Sequence, residues 1–214
     1  MATEPALKRA VAFIDGQNLF HAARAAFGYN LPNYDAHALA ASVCQRHGWA
    51  VVETRFYTGM PDEADNPFWH SYWSRKLSVM GKAGISVFSR PLRYQNKRVA
   101  LPDGTEHYYV VGVEKGIDVR LAIDVIRLAH RQAFDVALVF SQDQDLSEVA
   151  REIREIAREQ DRWIKVASAF PFSAVCRSRR GIDRTDWIRV ERAAYDACLD
   201  RRDYAAALPG GRSG

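Results

Sequence analysis

The chain has 214 residues, of which 48% are hydrophobic and 26% charged, and its net charge is +4. This length and composition predict one globular domain with a buried core. No apolar run reaches the roughly 18 residues of a membrane-spanning helix, and residues 1–10 lack the apolar stretch of a signal peptide. The mild basic charge permits nucleic-acid binding without requiring it.

The three cysteines, Cys44, Cys176 and Cys198, are far apart and form no Cys-x-x-Cys pair. Structural zinc sites use closely spaced cysteine and histidine ligands, so this spacing argues against one. We therefore expect free thiols in a reduced, cytoplasmic protein without a membrane partner.

Apolar strand-like runs alternate with helical periodicity in the first half of the chain. Asp35 is a predicted N-cap, and Pro67 is predicted at a helix start. The predicted elements are a strand over 9–14, a helix over 18–27, a helix to about 47, a strand over 49–57, a helix over 67–83 and a strand over 85–88.

Residues 93–112 interrupt this alternation. Two β-prone segments flank Asp103-Gly104, a dipeptide that favours a tight hairpin turn. We predict a hairpin insertion here. Its aromatic and basic residues would either face a substrate or pack as an arm against the body of the domain.

The second half returns to alternating strands and helices, which predicts an α/β, three-layer, Rossmann-like fold: a central, mostly parallel sheet flanked by helices. Residues 1–207 would form the single domain, and the Gly- and Ser-rich residues 208–214 a disordered tail. The predicted elements are helices over 118–132, 146–160, 172–178 and 191–203, and strands over 135–140, 163–169 and 187–190.

Three separate acidic motifs are the chain's most informative feature. One apolar run ends at Asp15, another leads to Asp143 and Asp145, and Asp118 opens a predicted helix. Ligands bind beyond the carboxyl ends of parallel strands, so these acids are predicted to meet at one sheet edge. Converging carboxylates repel one another unless a cation lies between them, which suggests a divalent metal.

Each acid also has an alternative role. Asp15 and Asp118 could cap their helices, and Asp143 and Asp145 could be turn residues. Asp124 lies about 240° around the helix from Asp118, so the two cannot face one ion from a straight helix. Asp124 therefore fits a structural or supporting role better.

Four further residues lie beside these acids in the sequence. Asn18 could orient a carboxylate or bind a metal-bound water, and Ser141 could hold a carboxylate or a phosphate oxygen. Glu114 is an alternative fourth ligand. Lys115 could neutralise phosphate or pair with Glu114.

No phosphate-binding glycine loop and no Gly-x-Ser-x-Gly motif occurs, which argues against P-loop, dinucleotide and serine-hydrolase chemistry. Two metals held by carboxylates can instead promote phosphodiester hydrolysis without a nucleophilic side chain. Two basic clusters are either solvated surface or contacts to a phosphate backbone. They consist of Arg90, Arg93, Lys97 and Arg98 around Tyr94, and of Arg177, Arg179, Arg180 and Arg184.

The three motifs, in their order and spacing, resemble the NYN domain family of PIN-like nucleases, in particular its LabA-like bacterial branch. The likeness covers about residues 9–190 and rests on the segments 13–18, 114–119 with Asp124, and 141–146. It implies a PIN-like fold and a Mg²⁺- or Mn²⁺-dependent ribonuclease. The metal pocket would comprise Asp15, Asp118, Asp143 and Asp145, supported by Asn18. Gln142 departs from the family pattern, which usually has glycine at this position.

The leading hypothesis is a metal-dependent endoribonuclease whose partner is RNA. Alternatives are a non-catalytic module that binds RNA or a protein, and a metal-dependent phosphatase or DNA nuclease that uses the same site. The aromatic residues Phe68, Trp69, Tyr72 and Trp73 either form a homodimer surface or belong to a helix packed on the sheet.

Overall fold

The structure, a computed structural model, describes residues 2–100, 105–176 and 178–206. A short 3₁₀ turn, Gln144–Leu146, follows the sixth strand. In chain order the elements are β1 (Lys8–Asp15), α1 (Gly16–Phe27), α2 (Ala36–Arg46), β2 (Trp49–Met60), α3 (Pro67–Lys82), β3 (Ser86–Pro91), β4 (Arg93–Ala100), β5 (Glu106–Val113), α4 (Ile117–His130), β6 (Val136–Phe140), α5 (Ser147–Glu159), β7 (Lys165–Pro171), β8 (Asp186–Val190) and α6 (Arg192–Asp196).

Six parallel strands form the central sheet in the order β3-β2-β1-β6-β7-β8. The chain runs outward from β1 to β3, returns to the centre, and runs outward again from β6 to β8. The direction therefore reverses between β1 and β6. In open α/β sheets this reversal opens a crevice at the carboxyl ends of the two strands, where ligands bind.

The two central strands are apolar on both faces, as expected for a sheet covered on both sides. Successive side chains of β1 alternate between two hydrophobic clusters: Ala12 and Ile14 lie with α1, α2 and α3, and Val11 and Phe13 with α4 and α5. The predicted three-layer α/β fold is confirmed.

The predicted hairpin is also confirmed. Strands β4 and β5 pair antiparallel, from Arg93 opposite Val113 to Ala100 opposite Glu106, and form a sheet of their own. The predicted turn at Asp103-Gly104 lies outside the described residues, as does the tail at 208–214.

The helix predicted over 172–178 is wrong for the residues of that segment that the structure describes, which are 172–176 and 178. The Phe172 N–H donates to the Val190 carbonyl at 2.9 Å, which continues the pairing of β7 with β8. The Arg179 guanidinium donates to the carbonyls of Ala174 and Cys176. These contacts occupy backbone groups that a helix would need.

The closing helix is also shorter than the predicted 191–203, because α6 ends at Asp196. The chain beyond it pairs with the segment before α2: Asp35 N–H donates to the Cys198 carbonyl, and Asp200 N–H to the Asn33 carbonyl, both at 2.8 Å. Tertiary pairing therefore replaces the local helical preference.

The aromatic side chains of α3 divide between core and surface. Tyr72 and Trp73 are buried against the sheet, Trp69 is half-buried, and Phe68 is 47% exposed. Tyr72 and Trp73 thus belong to the core, and the homodimer stays a prediction. All three cysteines are buried free thiols, as predicted. In the described part of the chain, no helix has the length and apolarity to cross a membrane.

Candidate functional site

Asp15 lies at the reversal point of the sheet, where β1 ends and α1 begins. It is the N-cap of α1: its Oδ1 accepts from the Asn18 N–H at 3.0 Å. Its Oδ2 accepts from Ser141 Oγ at 3.2 Å, across the gap to the loop after β6. Asp15 therefore has the predicted capping role and also lies at the predicted site.

Gly16 allows this close arrangement. A Cβ atom at this position would lie 2.6 Å from the Phe56 ring and 3.0 Å from the Tyr57 carbonyl. Neither neighbour can move freely, since both side chains are buried. The first turn of α1 can thus sit directly against β2 only with glycine at this position.

The loop after β6 is held by a chain of hydrogen bonds centred on Ser141, which is buried. Ser141 Oγ accepts from the Asp143 N–H at 3.1 Å, and Asp143 Oδ1 accepts from the Asp145 N–H at 3.0 Å. Ser168 Oγ donates to the Ser141 carbonyl at 2.7 Å. As predicted, Ser141 holds a carboxylate, that of Asp15.

Gln142, which occupies the glycine position of the family pattern, adds contacts without backbone strain. Its φ is not in the left-handed region. Its N–H donates to Asn18 Oδ1 at 2.9 Å, and its side-chain amide donates to Ser178 Oγ and the Arg180 carbonyl. Asn18 thus locks the loop after β6 onto α1, rather than presenting a free amide oxygen.

Asp118 lies in the first turn of α4 and is half-buried. Asp118 does not have the alternative role of helix cap: the N-cap is Gly116, which has a left-handed φ of 76° and makes no side-chain cap bond. Nearby, the Glu114 carboxylate accepts from the Gly59 N–H. Lys115 is exposed, and in the described residues it forms no ion pair with Glu114 or any other acid.

The acids influence one another's protonation. Burial first, and then the negative charges of Asp143 and Asp118, raise the pKa of Asp15 to about 6, against the lowering effect of the hydrogen bonds from Asn18 and Ser141. Burial likewise raises the pKa of Glu114 to about 7, with contributions from Asp15 and Asp118. Asp15, Asp118, Asp143 and Glu114 therefore share one region of negative potential.

Asp145 is joined to this region less directly. Its backbone N–H donates to Asp143, but its own carboxylate is exposed. Among the described residues, no three His, Cys, Asp or Glu side chains are grouped tightly enough to form a metal site by themselves. The four predicted ligands thus share one sheet edge as an open arrangement. Such an arrangement would suit a divalent cation that keeps several of its waters and takes one or two carboxylates together with substrate phosphates.

The acids at this edge differ from the other buried aspartates in having no cationic partner. Asp135 pairs with Arg9 at 3.1 Å and with Arg162 at 3.2 Å. In the part of the chain that the structure describes, no Lys, Arg or His side chain pairs with any of the four predicted ligands. A cluster of carboxylates left uncompensated favours a bound cation.

Asp124 lies about 240° around α4 from Asp118 and faces a different set of partners. It is 1% exposed, accepts from Tyr57 OH at 3.0 Å, and lies within 3.5 Å of guanidinium nitrogens of Arg55, Arg120 and Arg127. It joins α4 to β2 and is therefore structural, as its position around the helix indicated.

The first basic cluster lies on the hairpin and the end of β3. Arg90, Arg93 and Lys97 are exposed, and Arg90 lies against Gly116 next to the acid region. Arg98 pairs with Glu106, and Tyr94 OH accepts from the Asp62 N–H. Three of these five side chains are therefore free of ion pairs and hydrogen bonds within the described chain.

The second cluster is largely engaged within the protein. Arg179 donates to backbone carbonyls, and Arg180 pairs with Asp183 at 2.8 Å. Arg177 lies outside the described residues. Because these guanidinium groups already have partners, the hairpin offers the better phosphate-binding surface.

Sequence reasoning missed Ser168, which is buried in β7 and supports the loop after β6. It donates to the Ser141 carbonyl and accepts from the Ile182 N–H at 3.1 Å. A single serine within the apolar strand Lys165–Pro171 was the available signal.

The NYN domain family model matches residues 9–175. No curated protein matches the chain. A crystal structure of a Vibrio parahaemolyticus protein of unknown function has a TM-score of 0.50 and 17% identity, covering 86% of this chain and 94% of that one, which supports the fold alone. Ribokinase from Giardia lamblia, with a TM-score of 0.36 and 9% identity over 66% of this chain and 42% of its own, is too dissimilar to inform function. The chain therefore belongs to the NYN domain family, a family of PIN-like nucleases.

Proposed function

We propose that this protein is a metal-dependent endoribonuclease of the LabA-like branch. Nucleases of its family generally use divalent metals. The observation that carries the proposal is the set of acids at the reversal point of the sheet, which no cationic side chain of the described residues compensates. A divalent cation would supply that compensation.

The proposed ligands of Mg²⁺ or Mn²⁺ are Asp15, Asp118, Asp143 and Asp145. All their donor atoms are carboxylate oxygens, which hard cations prefer. When bound, such an ion stabilises the negative charge that develops at a phosphodiester during hydrolysis.

The protein's own contribution is to hold the acids in place before substrate arrives. Ser141 and the Asn18 N–H fix both oxygens of Asp15, and Ser141 also positions the backbone of Asp143. Carboxylates that are already held in position need less rearrangement when a metal ion and substrate bind. Glu114, whose carboxylate accepts from the Gly59 N–H, is a further candidate for orienting a water or a second ion.

RNA is proposed as the substrate because exposed cations border the acids. Arg90, at the end of β3, lies against Gly116, and Lys115 precedes Gly116 in the segment that leads into Asp118. Arg93 and Lys97 extend the positive surface along β4. Cations placed next to a carboxylate site would bind the phosphates on either side of a scissile bond. The free buried cysteines fit a reducing compartment, and we propose a cytoplasmic location.

The test is cleavage of a labelled RNA pool in Mg²⁺, in Mn²⁺ and in EDTA, beside DNA of matched sequence. Asp15→Asn should lose cleavage while keeping its helix cap, because an asparagine oxygen also accepts from the Asn18 N–H. Asp161→Asn is the matched control: Asp161 is an exposed acid between α5 and β7, at the opposite edge of the sheet.

Products that need the metal, that disappear in Asp15→Asn and that persist in Asp161→Asn would support the proposal. Cleavage of DNA alone would replace RNA with DNA as the substrate. RNA binding without products in any metal, from folded protein, would contradict the proposal in favour of a non-catalytic module.

A further inference from the structure

A cleft of about 450 Å³ opens beside the acid site, between α1, α3 and the hairpin. This volume lies within the range of small-molecule sites. Its lining mixes aromatic and polar side chains rather than forming an apolar seam. The lining residues that matter most are Gln17, Phe20, Asp65, Asn66, Trp69 and Tyr94.

The aromatic part of the wall comes from two helices. Phe20 on α1 and Trp69 on α3 have ring centroids 5.9 Å apart and planes inclined by 57°. Both side chains are only half-buried although they line a concavity, so ring surface remains open to a ligand. Open aromatic rings bind flat ligands by stacking, and nucleobases are the flat groups of a nucleic acid.

The polar part of the wall has unused hydrogen-bonding capacity. In the described residues, the side chains of Gln17 and Asp65 form no hydrogen bond or ion pair. Asn66 uses its Oδ1 to cap α3 and leaves its amide group free to donate. An ionised Asp65 can only accept, whereas the two amides can donate.

None of the site's acids lines the cleft, but residues next to them do. Gln17 is two residues after Asp15, in the first turn of the same helix. On the other side, the Leu92 side chain of the cleft wall packs against Gly59, whose N–H holds Glu114. A nucleotide chain lying across the acids would therefore place a neighbouring base at the cleft.

We propose that this cleft is a nucleobase-binding site, which gives the enzyme a base preference next to the bond it cleaves. This inference rests on the proposed function, since it concerns the same RNA substrate. The preferred base is guanine, because its N1–H and N2–H₂ groups form two adjacent donors that match the two oxygens of Asp65. Phe20 and Trp69 would hold the base by its face, and Gln17 and Asn66 would contact its remaining edge.

The experiment is fluorescence anisotropy with labelled oligouridines that carry one central guanosine, adenosine, cytidine or uridine, in EDTA so that no cleavage occurs. The wild-type protein should bind the guanosine probe most tightly. Trp69→Leu keeps apolar bulk but removes the aromatic face, and should weaken binding by about 5- to 150-fold, the equivalent of about 1–3 kcal/mol of stacking. Phe68→Leu, on the same helix but outside the cleft, is the control and should bind as wild type.

Asp65→Asn tests the choice of base separately from stacking. It should remove the guanosine preference while retaining most of the affinity for the uridine probe, and Glu63→Gln, in the same acidic loop but outside this cleft, should retain the preference. Equal affinity for all four probes, or unchanged affinity in Trp69→Leu, would overturn the inference. Guanosine-selective binding by a protein that never cleaves RNA would contradict the nuclease proposal and support the base site. Cleavage without any base preference would support the nuclease proposal and contradict the base site.

Discussion

Replacing Asp124 by asparagine should destabilise the folded protein and leave its cleavage chemistry intact. Asp124 is 1% exposed and is the shared anion for Tyr57 OH and the arginines at positions 55, 120 and 127. Asparagine keeps the shape of the side chain but removes the charge. Three guanidinium groups would then lie around a neutral amide.

The size of the effect follows from how buried these partners are. Removing one member of a fully buried ion pair costs about 3–5 kcal/mol, because the other charge remains buried. Here the side chain of Arg55 is 15% exposed, and those of Arg120 and Arg127 are 36% and 43% exposed, so water can partly solvate them. We therefore expect a loss of about 2–4 kcal/mol, which lowers the Tm of a domain of this size by about 5–15 °C.

The assay is thermal and urea denaturation of the wild type, Asp124→Asn and Asp118→Asn, followed by cleavage per folded molecule at a temperature where all three are folded. Asp118 forms no ion pair within the described chain, so Asp118→Asn should leave stability within about 1 kcal/mol while removing activity. A Tm within about 2 °C of wild type for Asp124→Asn, or its complete inactivity while folded, would refute the assignment of Asp124 to the scaffold.

Three further predictions concern the rest of the domain. Lys76 is buried, which lowers its pKa to about 8, so its positive charge destabilises the folded protein below pH 8. Between pH 8 and 10.5 the folded state loses this charge before the unfolded state does. The free energy of unfolding of the wild type should therefore rise by on the order of 3 kcal/mol relative to Lys76→Met, measured by urea denaturation. Gly59→Ala places a Cβ 2.4 Å from Leu92 and 2.6 Å from Glu114, so we expect a loss of about 1–3 kcal/mol in the same assay. Gln142→Gly removes the hydrogen bonds that the side-chain amide donates to the segment after β7. Proteolysis of that segment should therefore be faster, as detected by limited digestion.

The controls for these predictions use neighbouring groups. Other groups also titrate in alkali, notably Cys44, whose pKa burial raises to about 12 and which therefore lowers stability as pH rises above 9. Cys44 is present in both the wild type and Lys76→Met, so its contribution cancels in the difference between their free energies of unfolding. Asp200 and Arg202 also act on Lys76, and because the pKa of Asp200 is lowered and that of Arg202 raised, both carry the same charge throughout this range. A pH-independent difference would contradict the lysine account, and Gly81→Ala, which meets nothing within 4 Å, should not destabilise as Gly59→Ala does.

The alternation of strands and helices could be predicted because each element carries its own local signal. The apolar run before Asp15, the Asp35 cap and Pro67 at the start of α3 all act within one turn or strand, and the structure uses each of them. The end of the chain behaved differently. Residues beyond Asp196 favour helix locally but pair with residues 33–35, which lie far away in the sequence.

The candidate site could be located from the sequence but its supports could not. Parallel strands place their carboxyl ends at one edge, so the position of Asp15 relative to the loop after β6 follows from topology alone. The bonds from Gln142 to Asn18, and from Ser168 to Ser141, join segments that only the tertiary fold brings together. The alternative capping role of Asp118 does not apply, because Gly116 is the N-cap and helix α4 begins one residue before Asp118.

The measurement that tests the central claim most directly is a Mn²⁺ titration of the metal-free protein, followed by calorimetry and by the loss of the free-ion electron paramagnetic resonance signal. The account predicts saturable binding to the wild type and to Asp161→Asn, and its loss in Asp118→Asn and Asp143→Asn. Equal binding by all four proteins, or no binding to the folded wild type, would contradict the claim that the uncompensated acids form a cation site.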